Sequence, residues 1–258
     1  MTAARPIVVG VDGPPESRYA IDWAAPEAVL GGYRLRLVHA VSGRSRDDGV
    51  LAEAQEVARA AAPTVDVETA LVTAGAAGAL LAEGADAAYL VVGARGATGF
   101  SGLLLGSVAL QLAQYAPGPV VVARPIGKRT GRLVVGVDAS DDAATALRLA
   151  GAEADQRGAD LVVLHASGQP VSPRVREALD AAVTRLQALA PDAHVEGRVL
   201  QAHPAEALIE ASADADLVIV GSRGVGGFRG MLLGSVAAAV LHHARSPVAV
   251  IRRRPEHP

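Results

Sequence analysis

Two stretches of this chain, VVGARGATGFSGLLLGSVAL at residues 91–110 and VIVGSRGVGGFRGMLLGSVA at residues 218–237, carry one glycine pattern. Each is an apolar run, then Gly, two residues, Gly, nine residues and Gly-Ser. The first set is Gly93, Gly96, Gly106 and Ser107; the second is Gly221, Gly224, Gly234 and Ser235. Glycine makes up 28 of 258 residues. Three glycines at fixed positions followed by Ser or Thr would then arise by accident about 0.03 times in such a chain, the false-positive scale for this motif. Two occurrences at matching places mean a repeat, and the repeat requires the chain to fold as two similar units.

The rest of the chain follows the same doubling. PIVVGVDGPPES near the start matches RLVVGVDASDDA at residues 132–143, which pairs Asp12 with Asp138 at an offset of 126. LVHAV and VLHAS pair His39 with His165 at the same offset. The motifs pair at 128, as do GPVVVARP and SPVAVIRRRP, so a two-residue indel separates the copies before the motif. The joint is IGKRTGR, short, polar and basic. The expected organisation is unit 1 at residues 1–125, a linker at 126–132 and unit 2 at 133–258.

Each unit alternates strands and helices. IVVGVD is a continuous apolar run, the mark of a strand buried on both faces. In the second copy Ala143, Leu147, Ala150 and Ala154 recur at helical spacing, and Val175, Leu179, Val183 and Leu186 mark a second helix with a counterpart near residues 48–62. Third strands are expected near residues 65–72 and 193–200. Pro204 suits the first turn of a third helix. YLVVG and LVIVG read as fourth strands, helices start at Ser107 and Ser235, and VVVA and VAVI read as fifth strands. Pro26 falls inside the first helix of unit 1 and is expected to kink or break it. This alternation predicts an α/β fold: two tandem five-stranded parallel-sheet units with helices on both faces. Ligands of such sheets bind beyond the carboxyl ends of the strands. Asp12, Ala40 and Gly93 fall there, as do Asp138, Ala166 and Gly221.

Composition narrows the function. The chain is 50% hydrophobic but 3% aromatic, so its core is mostly Ala, Val and Leu. A net charge of −3 gives no electrostatic footprint for nucleic acid. With no cysteine there is no disulfide framework and no thiolate chemistry. MTAARPIVVG enters a strand-like run at once, without the features of a signal peptide, and the expected compartment is the cytoplasm. Residues 96–123 carry no charge, but five glycines and two prolines interrupt them. They read as a buried helix rather than a membrane span, which needs about 20 mainly apolar residues.

Gly93 and Gly96 let backbone turn tightly and approach a ligand. Gly106-Ser107 and Gly234-Ser235 open helices, whose free N–H groups and dipole suit phosphate. Each N–H to a charged oxygen is worth about 1.5–3 kcal/mol before competing costs. The serines also fit a plain N-cap role. No Gly-Lys-Ser/Thr follows the first glycines, so this is no Walker loop. The glycines follow the fourth strand rather than the first, so it is no dinucleotide fingerprint. Asp12 and Asp138 suit Mg2+, a ribose hydroxyl or a helix cap. Arg95 and Arg223 lie inside the loops, within reach of phosphate or of solvent. His39 and His165 sit at strand ends, a position more typical of packing than of catalysis. RRRPEHP reads as a solvated tail.

Taken together, the doubled unit resembles the universal stress protein family over nearly the whole chain. The resemblance rests on the Val-Asp end of strand one, the LVHA end of strand two, the glycine motif and the Pro-Val last strand. In that family the glycine motif marks members that bind ATP, so the resemblance implies one nucleotide site per repeat. It implies Asp12 and Asp138 at the nucleoside, Ala40 and Ala166 meeting adenine through backbone atoms, and Gly93 and Gly221 near the ribose. It implies phosphates held by Gly96, Gly106, Ser107 and Val108 in one copy and by Gly224, Gly234, Ser235 and Val236 in the other. It also implies that the last strands, residues 119–123 and 247–251, pair the units as a pseudo-twofold couple; a further homodimer stays open.

No serine elbow, metal cluster or carboxylate pair marks an enzyme. The expected function is a cytoplasmic, ATP- and Mg2+-binding stress-response regulator acting through an unidentified protein partner. The alternatives are a slow ATPase, or a scaffold for another adenine nucleotide such as cyclic AMP. The copies differ at one place: DGPPES has Pro14 where unit 2 has Ser140. Pro14 removes a hydroxyl and an N–H beside Asp12, so unequal sites are expected. Gly234→Glu should abolish more nucleotide binding than Gly106→Glu when ATP is titrated into each under identical salt and Mg2+. Equal losses, or a larger loss from Gly106→Glu, would contradict the asymmetry.

Overall fold

The computed structural model describes residues 5–13, 15–41, 49–96, 104–125, 127, 129–225 and 232–253. Its contacts divide the chain into two compact units, Met1–Pro125 and Ile126–Pro258. The first runs β1 (Ile7–Gly10), α1 (Glu16–Leu30), β2 (Leu35–Val41), α2 (Val50–Ala61), β3 (Val67–Thr73), α3 (Ala76–Glu83), β4 (Tyr89–Gly93), α4 (Ser107–Tyr115) and β5 (Val120–Ala123). The second runs β6 (Arg132–Gly136), α5 (Asp141–Arg157), β7 (Asp160–Ala166), α6 (Pro173–Leu189), β8 (Val195–Leu200), α7 (Pro204–Ala211), β9 (Leu217–Gly221), α8 (Ser235–His243) and β10 (Val248–Ile251). The parallel α/β architecture expected from the alternation is present in both.

In unit 1 the strand order is β3-β2-β1-β4-β5, and in unit 2 it is β10-β9-β6-β7-β8. Neighbouring strands within each unit pair in parallel. Helices α1 and α2 pack together on one face of the first sheet, α3 and α4 on the other. In unit 2, α5 and α6 share one face, α7 and α8 the opposite one. Covered on both sides, the central strands bury their whole apolar runs: Ile7, Val8 and Val9 in β1, Leu133, Val134 and Val135 in β6. Strands β3 and β8 end their sheets and alternate in burial. Ion pairs mark both edges: Glu68 with Arg34 and Arg36, and Glu196 with Arg198. Edge charges of this kind discourage pairing with another chain.

The scarcity of aromatic residues sets how closely the layers approach. The buried stripe of α5 is Ala143, Ala146, Ala150 and Ala154, while Leu147 is only half-buried. At Gly151 a Cβ would fall 2.6 Å from Leu186 Cδ2, so α5 and α6 meet at van der Waals contact through a missing side chain. In unit 1 Trp23 stands edge-on to Tyr89 at 5.7 Å, which seats α1 on β4.

Pro26 lies within α1, yet the helix runs through it without the expected break. Proline removes the amide that would bond the carbonyl of Asp22. Packing holds the helix together across that lost bond: Trp23, Ala24, Ala25 and Ala28 around Pro26 are all buried. The expected linker is pinned at its far end. The amides of Thr130 and Gly131 donate to the Asp216 carboxylate at 2.7 and 2.9 Å, and Arg132 already belongs to β6. Among the described residues no helix is long and apolar enough to cross a membrane. The described part of the uncharged segment 96–123 folds as α4 and β5.

Candidate functional site

The strand order of each unit reverses between its first and fourth strands, β1 and β4 or β6 and β9. The chains leaving these neighbours go to opposite faces, so a crevice opens beyond their carboxyl ends. In unit 2 it forms a cavity of about 570 Å³, within the range of small-molecule sites, about 300–1,000 Å³. Asp138, Ala166, Gly221, Arg223, Gly224, Gly234, Ser235 and Val236 all line it. So the eight positions singled out in unit 2 come together on one wall set. Val137, Pro204 and Leu208 add an apolar side that the motifs do not mark. Pro204 and Leu208 come from α7, whose sequence carries only a helical signal.

The motif glycines have separate reasons. A Cβ at Gly221 would sit 2.9 Å from the Ala143 amide nitrogen, and one at Gly93 would sit 2.7 Å from the Glu16 carbonyl oxygen. These two glycines let the fourth strand touch the first turn of the first helix. A Cβ at Gly224 or Gly96 would meet the strand-one aspartate, 2.6 Å from Asp138 Oδ2 or 2.7 Å from Asp12 Oδ2. Gly234 and Gly106 differ. Their backbones, at φ −74° and −77°, are open to any residue. The nearest atoms to an added Cβ are at an ordinary 3.4 Å. Nothing in the described protein requires a bare Cα there.

Around these positions, amide donors converge. The Gly234 amide closes the loop by donating to the Ser222 carbonyl at 2.8 Å, and Gly106 does the same to Ala94 at 2.7 Å. The first amides of a helix have no acceptor inside it. Ser235, Val236 and Ala237 begin α8, no side chain among the described residues caps them, and all three line the cavity. Helix α4 starts at Ser107 and Val108 in the same uncapped way.

Asp138 clamps the loop. Its Oδ1 accepts the Ser140 amide at 2.9 Å and its Oδ2 accepts the Val225 amide at 3.0 Å. The helix cap is Ser140, whose Oγ accepts the Ala143 amide and donates to the Arg223 carbonyl. In unit 1 Pro14 lies outside the described residues. Pro15 occupies the cap position of α1 without a side-chain bond. Ser17 instead takes the Asp12 amide at 2.8 Å and donates to Asp12 Oδ1 at 3.0 Å. The asymmetry between the copies therefore lies in the cap, not in a broken helix.

His39 Nδ1 lies 2.7 Å from the Val11 carbonyl, and His165 Nδ1 lies 3.0 Å from that of Val137. A carbonyl only accepts, so Nδ1 carries the proton and each ring ties strand two to the end of strand one. Ala40 and Ala166 follow them near the ends of β2 and β7, in register with Val72 and Leu200.

The loop arginines turn toward the first helices. Arg95 Nη2 is 2.8 Å from Glu16 Oε1, while Arg223 Nε is 3.6 Å from Asp142 Oδ2. Asp142 is buried and also accepts the Ser222 hydroxyl at 2.7 Å and the Arg253 amide at 3.0 Å. The start of the expected solvated tail is thus built in. Arg253 also pairs with Asp141, and Arg252 donates to the Leu232 carbonyl. Burial first, and then the charge of Arg223, hold the Arg252 guanidinium below its ordinary range. Burial alone lowers its counterpart Arg124 to about 10.

Comparison with known proteins matches this chain twice to the universal stress protein family, over residues 3–124 and 130–252. The universal stress protein Rv2623 of Mycobacterium tuberculosis H37Rv is 35% identical, over 95% of this chain and 96% of its own length. Rv1996 of the same organism is 34% identical over 98% and 96%. A universal stress protein crystal structure from Archaeoglobus fulgidus shares the fold with a TM-score of 0.77, covering 95% of this chain and 98% of that one at 19% identity.

The two classes of glycine should respond differently to a single methyl group. Gly221→Ala is expected to destabilise nucleotide-free protein in urea unfolding by about 1–3 kcal/mol, the cost of overpacking. Gly234→Ala should leave stability within about 0.5 kcal/mol, as for an unstrained position, and weaken nucleotide binding. Similar stability losses for both would show that Gly234 is also a packing glycine.

Proposed function

This chain belongs to the universal stress protein family, and we propose that it binds ATP with Mg2+ as a cytoplasmic stress-response regulator, at up to two sites. The observation that carries this reading is Gly234, for whose bare Cα the described residues give no internal reason, at a helix start that no described side chain caps, inside a cavity of about 570 Å³. Phosphates would lie on the amides of Gly224, Ser235 and Val236 beside Gly234, the ribose near Asp138 and Gly221, and adenine against the backbone of Ala166. The apolar side of Val137 and Leu208 suits a base. In unit 1 the same roles would fall to Asp12, Ala40, Gly93, Gly96, Gly106, Ser107 and Val108.

Among the described residues no group of three or more His, Asp or Glu could hold a metal by itself. This fits Mg2+ arriving on the nucleotide, since that ion commonly uses one or two carboxylates plus phosphates. Asp138 and the Ser235 hydroxyl are the protein groups that would hold it, and the bound ion would neutralise phosphate charge. Both Asp138 oxygens already accept loop and helix amides, which favours holding over proton transfer and a binding role over rapid turnover.

Calorimetric titration of nucleotide-free protein with ATP and Mg2+ should show saturable binding, micromolar or weaker, at one or two sites per chain. Absence of heat and saturation at millimolar ATP would contradict the proposal.

A further inference from the structure

The two loop arginines occupy matching places but are tethered differently. A Cβ at Gly106 would lie 3.4 Å from Arg95 Cα, and one at Gly234 would lie 3.4 Å from Arg223 Cα. Each arginine thus stands beside the start of the helix that would meet phosphate. Arg95 is bonded: its Nη2 to Glu16 Oε1 distance of 2.8 Å is that of a charge-assisted hydrogen bond. Glu16 is only 8% exposed, so withdrawing Arg95 would strand a buried carboxylate, a costly change.

Unit 2 has a shorter acid and other donors. Asp142 takes the place of Glu16, and its two oxygens already accept the Ser222 hydroxyl and the Arg253 amide. The positions equivalent to Ser222 and Arg253 in unit 1 are Ala94, which has no hydroxyl, and Pro125, which has no amide hydrogen. Arg223 Nε is left at 3.6 Å, beyond hydrogen-bond distance, with its side chain half exposed. Arg252, whose side chain donates to the Leu232 carbonyl beside Gly234, lies close enough for its charge to oppose that of Arg223. An anion arriving at the α8 start would relieve that repulsion. Asp142 loses little when Arg223 leaves, because Ser222 and Arg253 stay.

Resting on the reading that the unit 2 cavity takes a nucleotide, we propose that Arg223 swings from Asp142 onto the phosphate chain and makes site 2 selective for polyphosphorylated ligands, whereas Glu16 withholds Arg95 at site 1. Asp142, Ser222 and Arg253 act as positioning residues for this selectivity.

The test uses full-length chains with one site silenced, Gly106→Glu to leave site 2 and Gly234→Glu to leave site 1, each checked by thermal melting. ATP and adenosine are titrated into both. In the site 2 protein, Arg223→Gln should weaken ATP by about tenfold, the scale of one charge-assisted hydrogen bond, and leave adenosine within about twofold, well below that scale. Arg223→Lys, which keeps the charge, should recover part of the preference for ATP. In the site 1 protein, Glu16→Gln should strengthen ATP relative to adenosine. An equal effect of Arg223→Gln on both ligands, or none on either, would overturn the role of Arg223. No gain from Glu16→Gln would overturn the withholding of Arg95. Failure of the Gly106→Glu protein to bind either ligand would instead overturn the nucleotide reading of site 2, and this selectivity with it.

Discussion

A parallel sheet whose strand order reverses cannot close the space beyond the strands at the reversal. In unit 2, β6 feeds α5 on one face and β9 leads to α8 on the other, so the chains part and leave a crevice. Everything at the candidate site is an answer to that parting. Gly221 lets β9 press against the first turn of α5. Asp138 reaches across the gap to the Val225 amide where the glycine loop begins. The Gly234 amide then closes the loop on Ser222. With these bonds in place, the first amides of α8 point to one spot, and their partial positive charge has no counterpart within the helix.

The small residues of the core make this geometry affordable in sequence terms. Alanine stripes and Gly151 bring α5 close to its neighbours, so the short side chains at its start can reach the loop. Ser140 and Asp142 do so from the first turn of the helix. Unit 1, whose helix comes equally close at Gly93, carries the longer Glu16 at the matching position and uses it to bond Arg95.

The fold was legible because its signals are local. Apolar runs, alanine periodicity and the doubled motif each occupy a few neighbouring residues, and they place β6, α5, β9 and α8 correctly. The cluster of Asp138, Gly224 and Gly234 was legible too, since strand ends and helix starts converge in any sheet of this order. What was hidden depends on contacts between distant parts of the chain. Asp142 to Arg253 spans 111 residues and Ser222 to Asp142 spans 80, so nothing near Arg253 announced that it was more than a tail. The packing role of Gly221 was also invisible, because a glycine facing a helix and one facing a ligand read alike. Pro26 does not break α1 for a related reason: proline costs a helix one bond, and the burial of Trp23, Ala24, Ala25 and Ala28 around it is invisible from the proline alone.

On the proposed reading, the helix starts at Gly106 and Gly234 hold an adenine nucleotide. Native mass spectrometry of freshly purified protein, alone and with ATP and Mg2+, tests it most directly because it identifies the bound species by mass. One or two adenine-nucleotide adducts are expected on the wild-type chain and none on the folded Gly106→Glu, Gly234→Glu double variant. A wild-type spectrum showing only the bare chain, or equal adducts on both proteins, would contradict it.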